Sequence, residues 1–450
     1  MQPGRRRGRS EASLSPAIVR KVTIYPLRIP MRGAVEHAEA RRDEADPIVV
    51  GVELDGGTCG FGETLPRPYV TGESRQDALD FIQTGLLSAI MSFNAPTFAE
   101  ALEAIEALPY LSATNTRPAS EARAGDRGPV RSEDAPPSPA ETARRDAARA
   151  AVELALLDAC MKHFHRGVEH VVGWMGLPET GPRSRVAGHG STGPARRAGH
   201  CLRGSAVLAS ADIGRLRKKL RFYRFAGFRD FKLKVGFDRD EARAELVRRS
   251  LGHALSSGRA TLRLDVNGGW SAKDAAQELA RWHDLPLAGI EQPLARGREA
   301  ELSGLRRFTS APWIHDESLI DVEDARRLIG LGVADVFNVR LSKCGGFLPA
   351  LRVAMYARRQ GVRVQLGCMV GETSILAAAG LRFLEAFPYA EWVEGCFGTW
   401  LLRVDVVRRS LRLGYGGRLP TVGGPGWGVQ VDEGRLTALS APAPIVLHLG

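Results

Sequence analysis

The fold is decided by a stretch that begins Phe231-Lys232-Leu233-Lys234-Val235-Gly236 and ends at Gly346. Between these ends lie Leu264-Asp265-Val266-Asn267, Gly289-Ile290-Glu291-Gln292-Pro293, His315-Asp316-Glu317-Ser318 and Asn338-Val339-Arg340-Leu341-Ser342-Lys343-Cys344-Gly345-Gly346. Each fragment is a short β-type run with a charged residue at or near its end. Glu291 follows Asp265 by 26 residues, and Asp316 follows Glu291 by 25. That step equals about one strand, one helix and two loops, which is the repeat of a (β/α) barrel.

Strand and helix patterns alternate around this stretch. Strands are predicted at Arg185–His189, Asp230–Lys234, Thr261–Asp265, Gly289–Glu291, Pro312–Asp316, Asp335–Arg340, Arg363–Leu366 and Glu391–Glu394. Helices are predicted at Asp240–Leu255, Ala272–His283, Val322–Leu331, Leu348–Arg359 and Ile375–Ala386. The alternation predicts an α/β fold, a modified TIM-type (β/α)7-8 barrel with a parallel, closed sheet over residues 161–398.

The chain outside the barrel is predicted to form a smaller α+β domain over residues 21–160. Its predicted strands are Val22–Leu27, Ile48–Leu54 and Thr58–Glu63, with a polar loop at Pro30–Pro47, and its predicted helices are Ser74–Ile90, Thr97–Leu108 and Arg144–His163. Residues 399–450, which include the Gly-rich, β-like stretch Gly414–Asp432, are expected to return to this domain. Residues 1–20 are predicted to be a disordered basic tail and residues 112–141 a disordered insertion, because they contain almost no large apolar residues.

Composition and charge exclude several classes of protein. The chain has 450 residues and a net charge of +11, but five arginines and one acid, Glu11, fall in residues 1–20. No run of Lys and Arg interleaved with aromatic residues is evident, so no nucleic-acid partner is predicted. The six cysteines form no CxxC pair, which favours a reducing cytoplasm. No apolar run is long enough to span a bilayer, so no membrane partner is predicted.

The three evenly spaced acids, Asp265, Glu291 and Asp316, predict a metal site. Each ends a β-run, at the end of a barrel where active sites assemble. Without a cation, three converging carboxylates would raise one another's pKa values. Mg²⁺, with Mn²⁺ as a possible substitute, takes oxygen ligands and leaves positions open for a substrate carboxylate. The alternative for each acid alone is a helix cap or a surface salt bridge.

The two lysines of the first fragment predict a general base. Lys232 and Lys234 are two residues apart on a strand, so they point to the same face. Two neighbouring ammonium groups lower the pKa of one of them toward the range of a base. Such a lysine can remove the proton α to a metal-bound carboxylate, and the metal then stabilises the enediolate. The alternative is a charge pair on an exposed strand.

Together these motifs resemble the enolase superfamily, in its mandelate racemase/muconate lactonizing enzyme family and the branch that includes dipeptide epimerases. Gly60-Phe61-Gly62-Glu63 resembles the GxGE motif of the capping domain, and Lys232-Leu233-Lys234 resembles the KxK of the second barrel strand. The resemblance implies a barrel with an α+β capping domain, Lys234 as the acid/base and Lys232 as the residue that tunes it. It also implies that Pro30–Pro47 and Leu65–Glu73 select a small carboxylate substrate, through Arg67, Tyr69 and Thr71.

One position departs from the family pattern Asn-x-Lys-Leu-x-Lys-x-Gly-Gly. Arg340 stands where the first lysine, the second acid/base, is expected, and Lys343 matches the second, non-catalytic lysine. Arginine keeps its proton, so it is a poor base but a good carboxylate clamp. One-base chemistry, β-elimination or cycloisomerisation, is therefore expected, unless the strand register lets Lys343 act. The alternatives are a racemase or epimerase of dipeptides or N-acyl amino acids, and a catalytically silent barrel with a binding role.

Two further acids are candidate substrate-binding residues. Glu372, in a stretch that resembles the seventh-strand motif of the family, is predicted to orient Arg340 or the substrate. Glu394 ends the eighth predicted strand and is expected to bind a substrate amine or to form a structural salt bridge. The protein is also expected to assemble as a homo-oligomer.

Overall fold

A computed structural model describes residues 15–37, 40–110, 146–176, 202–237, 240–396 and 398–448. Most of the predicted basic tail, the predicted insertion at 112–141 and the predicted strand Arg185–His189 lie outside the described residues. Within the described residues, no helix combines the length and apolar character needed to cross a bilayer.

Strands near the two ends of the chain pair antiparallel, and strands in its centre pair parallel. The strands are β1 Ala17–Pro26, β2 Ile29–His37, β3 Ala40–Ala45, β4 Ile48–Leu54, β5 Cys59–Thr64, β6 Asn94–Ala95, β7 Ala206–Leu208, β8 Asp230–Lys234, β9 Thr261–Asp265, β10 Gly289–Glu291, β11 Trp313–His315, β12 Val336–Val339, β13 Arg363–Leu366 and β14 Ile445–His448. The α-helices are α1 Pro68–Thr71, α2 Arg75–Phe81, α3 Leu87–Met91, α4 Phe98–Glu106, α5 Ala147–His163, α6 Val168–Trp174, α7 Ile213–Phe225, α8 Asp240–Ser256, α9 Ala272–Arg281, α10 Leu302–Leu305, α11 Val322–Gly330, α12 Phe347–Arg359, α13 Ser374–Ala386, α14 Gly398–Leu401 and α15 Glu433–Leu439. A π-helical segment, Ile82–Leu86, joins α2 to α3, and short 3-10 turns lie at Glu299–Glu301, Arg306–Phe308 and Tyr415–Gly417.

The first sheet belongs to the capping region and has the order β14-β1-β4-β5, with β6 beside β1. The C-terminal strand β14 pairs antiparallel with β1, so the end of the chain returns to this sheet. Strand β1 begins at Ala17, which pairs with Ala95. The prediction that the tail extends to residue 20 is therefore wrong, because the backbone of residues 17–20 is already paired within the sheet.

Two predicted features of the capping region differ in the structure. The predicted loop Pro30–Pro47 is a two-stranded antiparallel hairpin, β2 and β3, whose register shifts between Pro30 and Val35. The Gly-rich stretch Gly414–Asp432 is not a strand. It contains isolated bridges and glycines such as Gly424 and Gly426 at positive φ, a conformation that cannot continue a β-strand.

The second sheet is the predicted parallel barrel. Its order is β13-β12-β11-β10-β9-β8-β7 with every pair parallel. The predicted eighth strand, Glu391–Glu394, is reduced to bridges made by Val393, which pairs with Leu366 on one side and Gly204 on the other. That segment joins the two ends of the sheet, so the barrel prediction is confirmed although the eighth strand is not a regular one.

Helix α5 connects the two regions and is buried along almost its whole length. Strand β5 crosses it closely, because a Cβ atom at Gly60 or Gly62 would collide with the α5 backbone. The next residue, Glu63, accepts hydrogen bonds from Thr373 N (2.7 Å) and Leu376 N (3.0 Å) at the start of α13. The Gly-x-Gly-Glu sequence therefore fixes the capping sheet against the barrel helix that follows β13.

Helix α7 corrects the view that basic and aromatic residues are not interleaved. Its sequence, IGRLRKKLRFYRF, has six basic residues and no acid. Leu216 and Leu220 are buried against the barrel, which leaves the basic residues, Phe222 and Phe225 exposed. This run is contiguous at residues 215–225, so it could have been found in the linear sequence.

Candidate active site at the carboxyl ends of the barrel strands

Three of the predicted site residues lie side by side at the ends of three neighbouring strands, β8, β9 and β10. Lys234 of β8 is in register with Asp265 of β9, and Asp265 is in register with Glu291 of β10. Asp316 follows β11 by one residue, and Arg340 follows β12 by one residue. All of these side chains are buried. The parallel sheet therefore brings the predicted residues to the same end of the barrel, as strand ends at successive repeats should.

Lys234 is held by two oxygens. Its Nζ lies 2.7 Å from Asp265 Oδ2 and 2.6 Å from Asn267 Oδ1. Asn267 in turn donates to Glu317 Oε1 at 3.1 Å. Only 8% of Lys234 is exposed, so this amine is shielded from bulk water at the end of its strand. These contacts orient a single lysine toward the carboxylates of the site.

Lys232 lies deeper in the barrel and binds three carboxylates. Its Nζ is 2.8 Å from Glu394, 3.1 Å from Glu291 and 3.2 Å from Asp265. Burial alone would lower the pKa of Lys232, but these carboxylates outweigh it and raise the pKa well above the ordinary value of 10.5. Lys232 therefore stays a fixed cation, and its role in tuning Lys234 stays a prediction.

The three predicted metal ligands do not share one electrostatic environment. Burial, and then Asp265, Glu394 and Asp316, raise the pKa of Glu291, as expected for converging carboxylates. Burial also opposes ionisation of Asp265 and Asp316, but Lys232 and Lys234 hold the pKa of Asp265 below its ordinary value. Arg340 and Lys343 do the same for Asp316. The expectation of raised pKa values is therefore confirmed for Glu291 and wrong for the other two, because basic side chains balance them.

The site's fit to a divalent cation rests on its oxygen donors. Among the described residues, no group of three His, Cys, Asp or Glu side chains is arranged around one point to hold a metal ion. Basic side chains bind most of the carboxylate oxygens instead. However, Asp265 Oδ1 is buried without a hydrogen-bond partner among the described residues, and the buried carboxylates of Glu291 and Asp316 lie at the same end of the barrel. Hard oxygen donors with one unsatisfied atom suit Mg²⁺ chemically.

The basic residues that follow β12, Arg340 and Lys343, both bind Asp316. The guanidinium of Arg340 forms a close ion pair with Asp316 and lies 3.6 Å from Glu291. Burial opposes its charge, but these carboxylates outweigh that effect and raise the pKa of Arg340 above its already high value. Lys343 is fully buried and donates to Asp316 Oδ1 at 2.8 Å, Asp316 O at 2.6 Å and Asn338 O at 2.9 Å. All three of its protons are bound, so Lys343 positions Asp316.

Of the residues predicted in the capping region, Arg67 and Thr71 are held by partners within that region. Arg67 is buried in an ion pair with Asp46 at 2.7 Å. Thr71 is buried and donates to Arg67 O at 3.1 Å, within the turn that forms α1. Tyr69 is partly buried against the apolar core. The segment nevertheless begins beside the site, because Leu65 N donates to Ser342, two residues after Arg340, at 3.2 Å.

Glu372 and Glu394 lie together with Arg340 around a small cavity of about 20 Å³, which is about the size of one water molecule. Burial, and then Glu63, raise the pKa of Glu372 well above 4.5. Both oxygens of Glu394 are already bound, one to Lys232 and one to Arg263 at 3.1 Å. The structure therefore places Glu394 in the salt bridge that was one of its two expected roles, while Glu372 faces the cavity without a cationic partner among the described residues.

Several residues of the site carry no sequence prediction. Arg263 and Gln365 form a buried layer below the carboxylates, and Gln365 donates to Glu291 Oε2 at 2.9 Å. Asn338 donates to Glu291 Oε1 at 3.0 Å. Strand alternation could have identified Arg263, which is two residues before Asp265 and therefore points to the same interior face.

Comparisons with known proteins extend over both regions. Residues 215–435 match the enolase C-terminal domain-like family. An N-succinyl-L-Arg/Lys racemase from Bacillus cereus is 25% identical over 366 residues, which cover 80% of this chain and 82% of the racemase. Muconate cycloisomerase 1-2 from Acinetobacter lwoffii is 30% identical over 238 residues, which cover 52% of this chain and 60% of that enzyme. A crystal structure of a dipeptide epimerase from Cytophaga hutchinsonii, complexed with Mg and the dipeptide D-Ala-L-Val, matches with a TM-score of 0.74 and 19% identity, covering 96% of this chain and 100% of that one.

Proposed function

We propose that the chain is a member of the enolase superfamily and that it uses one lysine, Lys234, to remove the proton α to the carboxylate of a small substrate. The observation that supports this most strongly is the contrast between Lys234 and the other basic groups of the site. Lys232 is bound by three carboxylates, Lys343 by three oxygens and Arg340 by Asp316. Lys234 is the most exposed of the three site lysines, and its partners are Asp265 and Asn267.

Lys234 would act as the base after releasing its own proton. Lys232 keeps its charge beside Asp265, so it is a fixed cation next to the proposed base. Asn267 keeps the amine directed toward the carboxylates throughout. General-base catalysis by a positioned side chain contributes roughly 10²–10⁴-fold to a rate.

Asp265, Glu291 and Asp316 would hold Mg²⁺, with Mn²⁺ as a substitute. When bound, such an ion neutralises a substrate carboxylate and disperses the negative charge that proton removal leaves. The proposal rests on the buried, unsatisfied oxygen of Asp265 and on the acid-rich barrel end. Lys343 and Asn338 would keep Asp316 and Glu291 in place through their hydrogen bonds.

Arg340 favours a reaction that needs one base. A cationic guanidinium opposite Lys234 can hold an anionic group of the substrate, but it cannot accept a proton from the second face of the α-carbon. Cycloisomerisation and β-elimination both require a single proton transfer to or from Lys234. We therefore place isomerisation of the cycloisomerase type, or a lyase step, first.

Racemisation or epimerisation of an N-acyl amino acid or dipeptide is the second candidate. Its support is the similarity over most of the chain to a racemase of N-succinyl-Arg/Lys and to a dipeptide epimerase. In that case a second proton acceptor would have to come from a residue other than Arg340. Location in the cytoplasm and assembly as a homo-oligomer stay predictions.

Incubation in D₂O with Mg²⁺ and a panel of carboxylates tests the proposal. The panel contains dipeptides, N-succinyl amino acids and muconolactone, and mass spectrometry measures uptake of one deuterium at the α-carbon. Uptake with at least one compound is expected, with Asp265→Asn as the inactive control. Absence of uptake across all three classes would contradict α-proton removal and favour the silent barrel.

A further inference from the structure

A second cavity lies at the opposite end of the barrel from the catalytic residues. Its volume is about 630 Å³. We call it the arginine cavity, because five arginines are among its lining residues: Arg203, Arg224, Arg229, Arg259 and Arg418. Arg229 immediately precedes β8, whereas Lys234 ends it. The four residue steps between Asp230 and Lys234 span about 13 Å, so the two sites are separate.

The lining carries positive charge without a matching negative charge. Among the described residues, no carboxylate lines the arginine cavity. None of the five guanidinium groups has an ion pair with an Asp or Glu of the described ranges. Two are anchored by neutral oxygens, Arg203 by Gly416 O at 3.1 Å and Arg259 by Ser257 Oγ at 2.9 Å. Such a cluster repels itself, and an anion that binds several of the groups would remove that repulsion.

Aromatic side chains complete the arginine cavity. Tyr415 lies at its edge with 75% of its surface exposed and with its ring against Gly227. Phe228 and Phe231 contribute buried apolar surface to the lining. A flat ring can stack on an exposed tyrosine, while planar guanidinium groups bind phosphate oxygens in pairs.

We propose that the arginine cavity binds a small phosphorylated ligand with a planar ring, of about nucleotide size. The volume falls within the range of small-molecule sites, about 300–1,000 Å³. The concave shape distinguishes it from the neighbouring surface of α7, whose exposed cations Arg217 and Lys218 lie outside the lining. A nucleic acid would instead follow an extended stripe of charge such as the one on α7.

Isothermal titration of the full chain at physiological ionic strength, without added metal, tests this proposal. The probes are ATP, tripolyphosphate and adenosine. We expect ATP to bind, tripolyphosphate to bind at least roughly fivefold more weakly because it lacks a ring, and adenosine not to bind. Arg229→Gln and Arg224→Gln should each weaken ATP binding roughly tenfold, since each removes a charged hydrogen-bond donor. Tyr415→Leu should remove the advantage of ATP over tripolyphosphate.

Arg217→Gln is the matched control, because it removes the same charge from α7 outside the lining. Its ATP affinity should equal that of the wild type. Equal weakening by Arg217→Gln and Arg229→Gln, or no binding of ATP and tripolyphosphate, would overturn the proposal. Tighter binding of single-stranded DNA than of ATP, lost in Arg217→Gln, would assign the charge to a nucleic-acid surface instead. The readout is binding, so it is independent of the proposed catalytic function.

Discussion

The ends of β8 and β12 face each other across the site and carry basic residues of different chemistry. On β8, Lys234 has two oxygen partners and sits at the edge of the buried network. After β12, Arg340 is paired with Asp316, and Lys343 has all three protons bound. Both sides are positive, but the β12 side carries an arginine, which keeps its proton in proteins, whereas the β8 side carries lysines.

Because of this difference, we expect the β8 side to transfer the proton and the β12 side to supply only a positive charge. If two lysines faced each other, a proton could leave one face of the α-carbon and return to the other. With Arg340, the β12 side supplies a fixed cation that can hold an anionic substrate group. The asymmetry therefore predicts the stereochemical course of the reaction, and each of the following variants changes one side at a time.

Asp265→Asn should have the largest effect, because it removes a proposed metal ligand and the partner of both β8 lysines. Turnover should fall to background, and calorimetry should show loss of Mg²⁺ binding. A variant that retains wild-type Mg²⁺ affinity would contradict the ligand assignment, whatever its activity. Asp274→Asn, an exposed helix-start acid on α9, is a matched control that should leave metal binding intact.

Lys234→Arg should have the second-largest effect. It keeps the positive charge at the end of β8 but removes the base, so kcat for α-proton exchange should fall by roughly 10²–10⁴-fold. Substrate affinity should change far less than kcat, which steady-state kinetics would show. If Lys234→Arg exchanged the α-proton at the wild-type rate, the base would be another residue. The proposed difference between β8 and β12 would then be wrong.

Arg340→Lys makes the two sides alike. The amine would stand opposite Lys234, so formation of the inverted enantiomer from a substrate that exchanges its α-proton should rise by roughly 10²-fold. Chiral chromatography of the product measures this gain. An unchanged yield of inverted product would mean that the identity of residue 340 does not limit the reaction to one face.

Glu63→Gln should have the smallest effect on turnover, because Glu63 caps α13 away from the lysines. Burial raises the pKa of Glu63 to about 7, although the Thr373 hydrogen bonds oppose this. Between pH 4.5 and 7 the folded protein therefore holds a proton that the unfolded chain has released, so stability falls as pH rises through this window. The variant should lose about 3 kcal/mol of that pH dependence in the free energy of unfolding. Denaturant titrations give the free energy of unfolding at each pH. An equal pH dependence in the wild type and in Glu63→Gln would be inconsistent with this assignment.

Much of the barrel could be predicted from local sequence. The bounds of β8, β9, β10 and β13 agree with the predicted strands to the residue. Three of them, β8, β9 and β10, end in a charged residue before a turn. The same alternation placed Lys232, Lys234 and Asp265 on the interior face. The division of the chain at residues 160 and 398 stays a prediction.

Long-range pairing could not be predicted in this way. Arg263 binds Glu394, 131 residues further along the chain, and no local pattern connects them. Strand β3, with the sequence ARRDEA, is polar and lacks the apolar alternation that identifies a half-buried strand. For the same reason the ion pair of Arg67 with Asp46 was not foreseen, and the arginine was assigned to the substrate.

The most direct test of the one-base account is the configuration of the product after α-proton exchange in D₂O. The wild-type enzyme is given a single enantiomer of a substrate from the panel, and the reaction is stopped when about half of the molecules contain deuterium. We expect deuterium to enter with retention of configuration, because Lys234 removes and returns the proton on one face. Deuterium found mainly in the opposite enantiomer would contradict it, since inversion requires a second proton-transfer group on the β12 side.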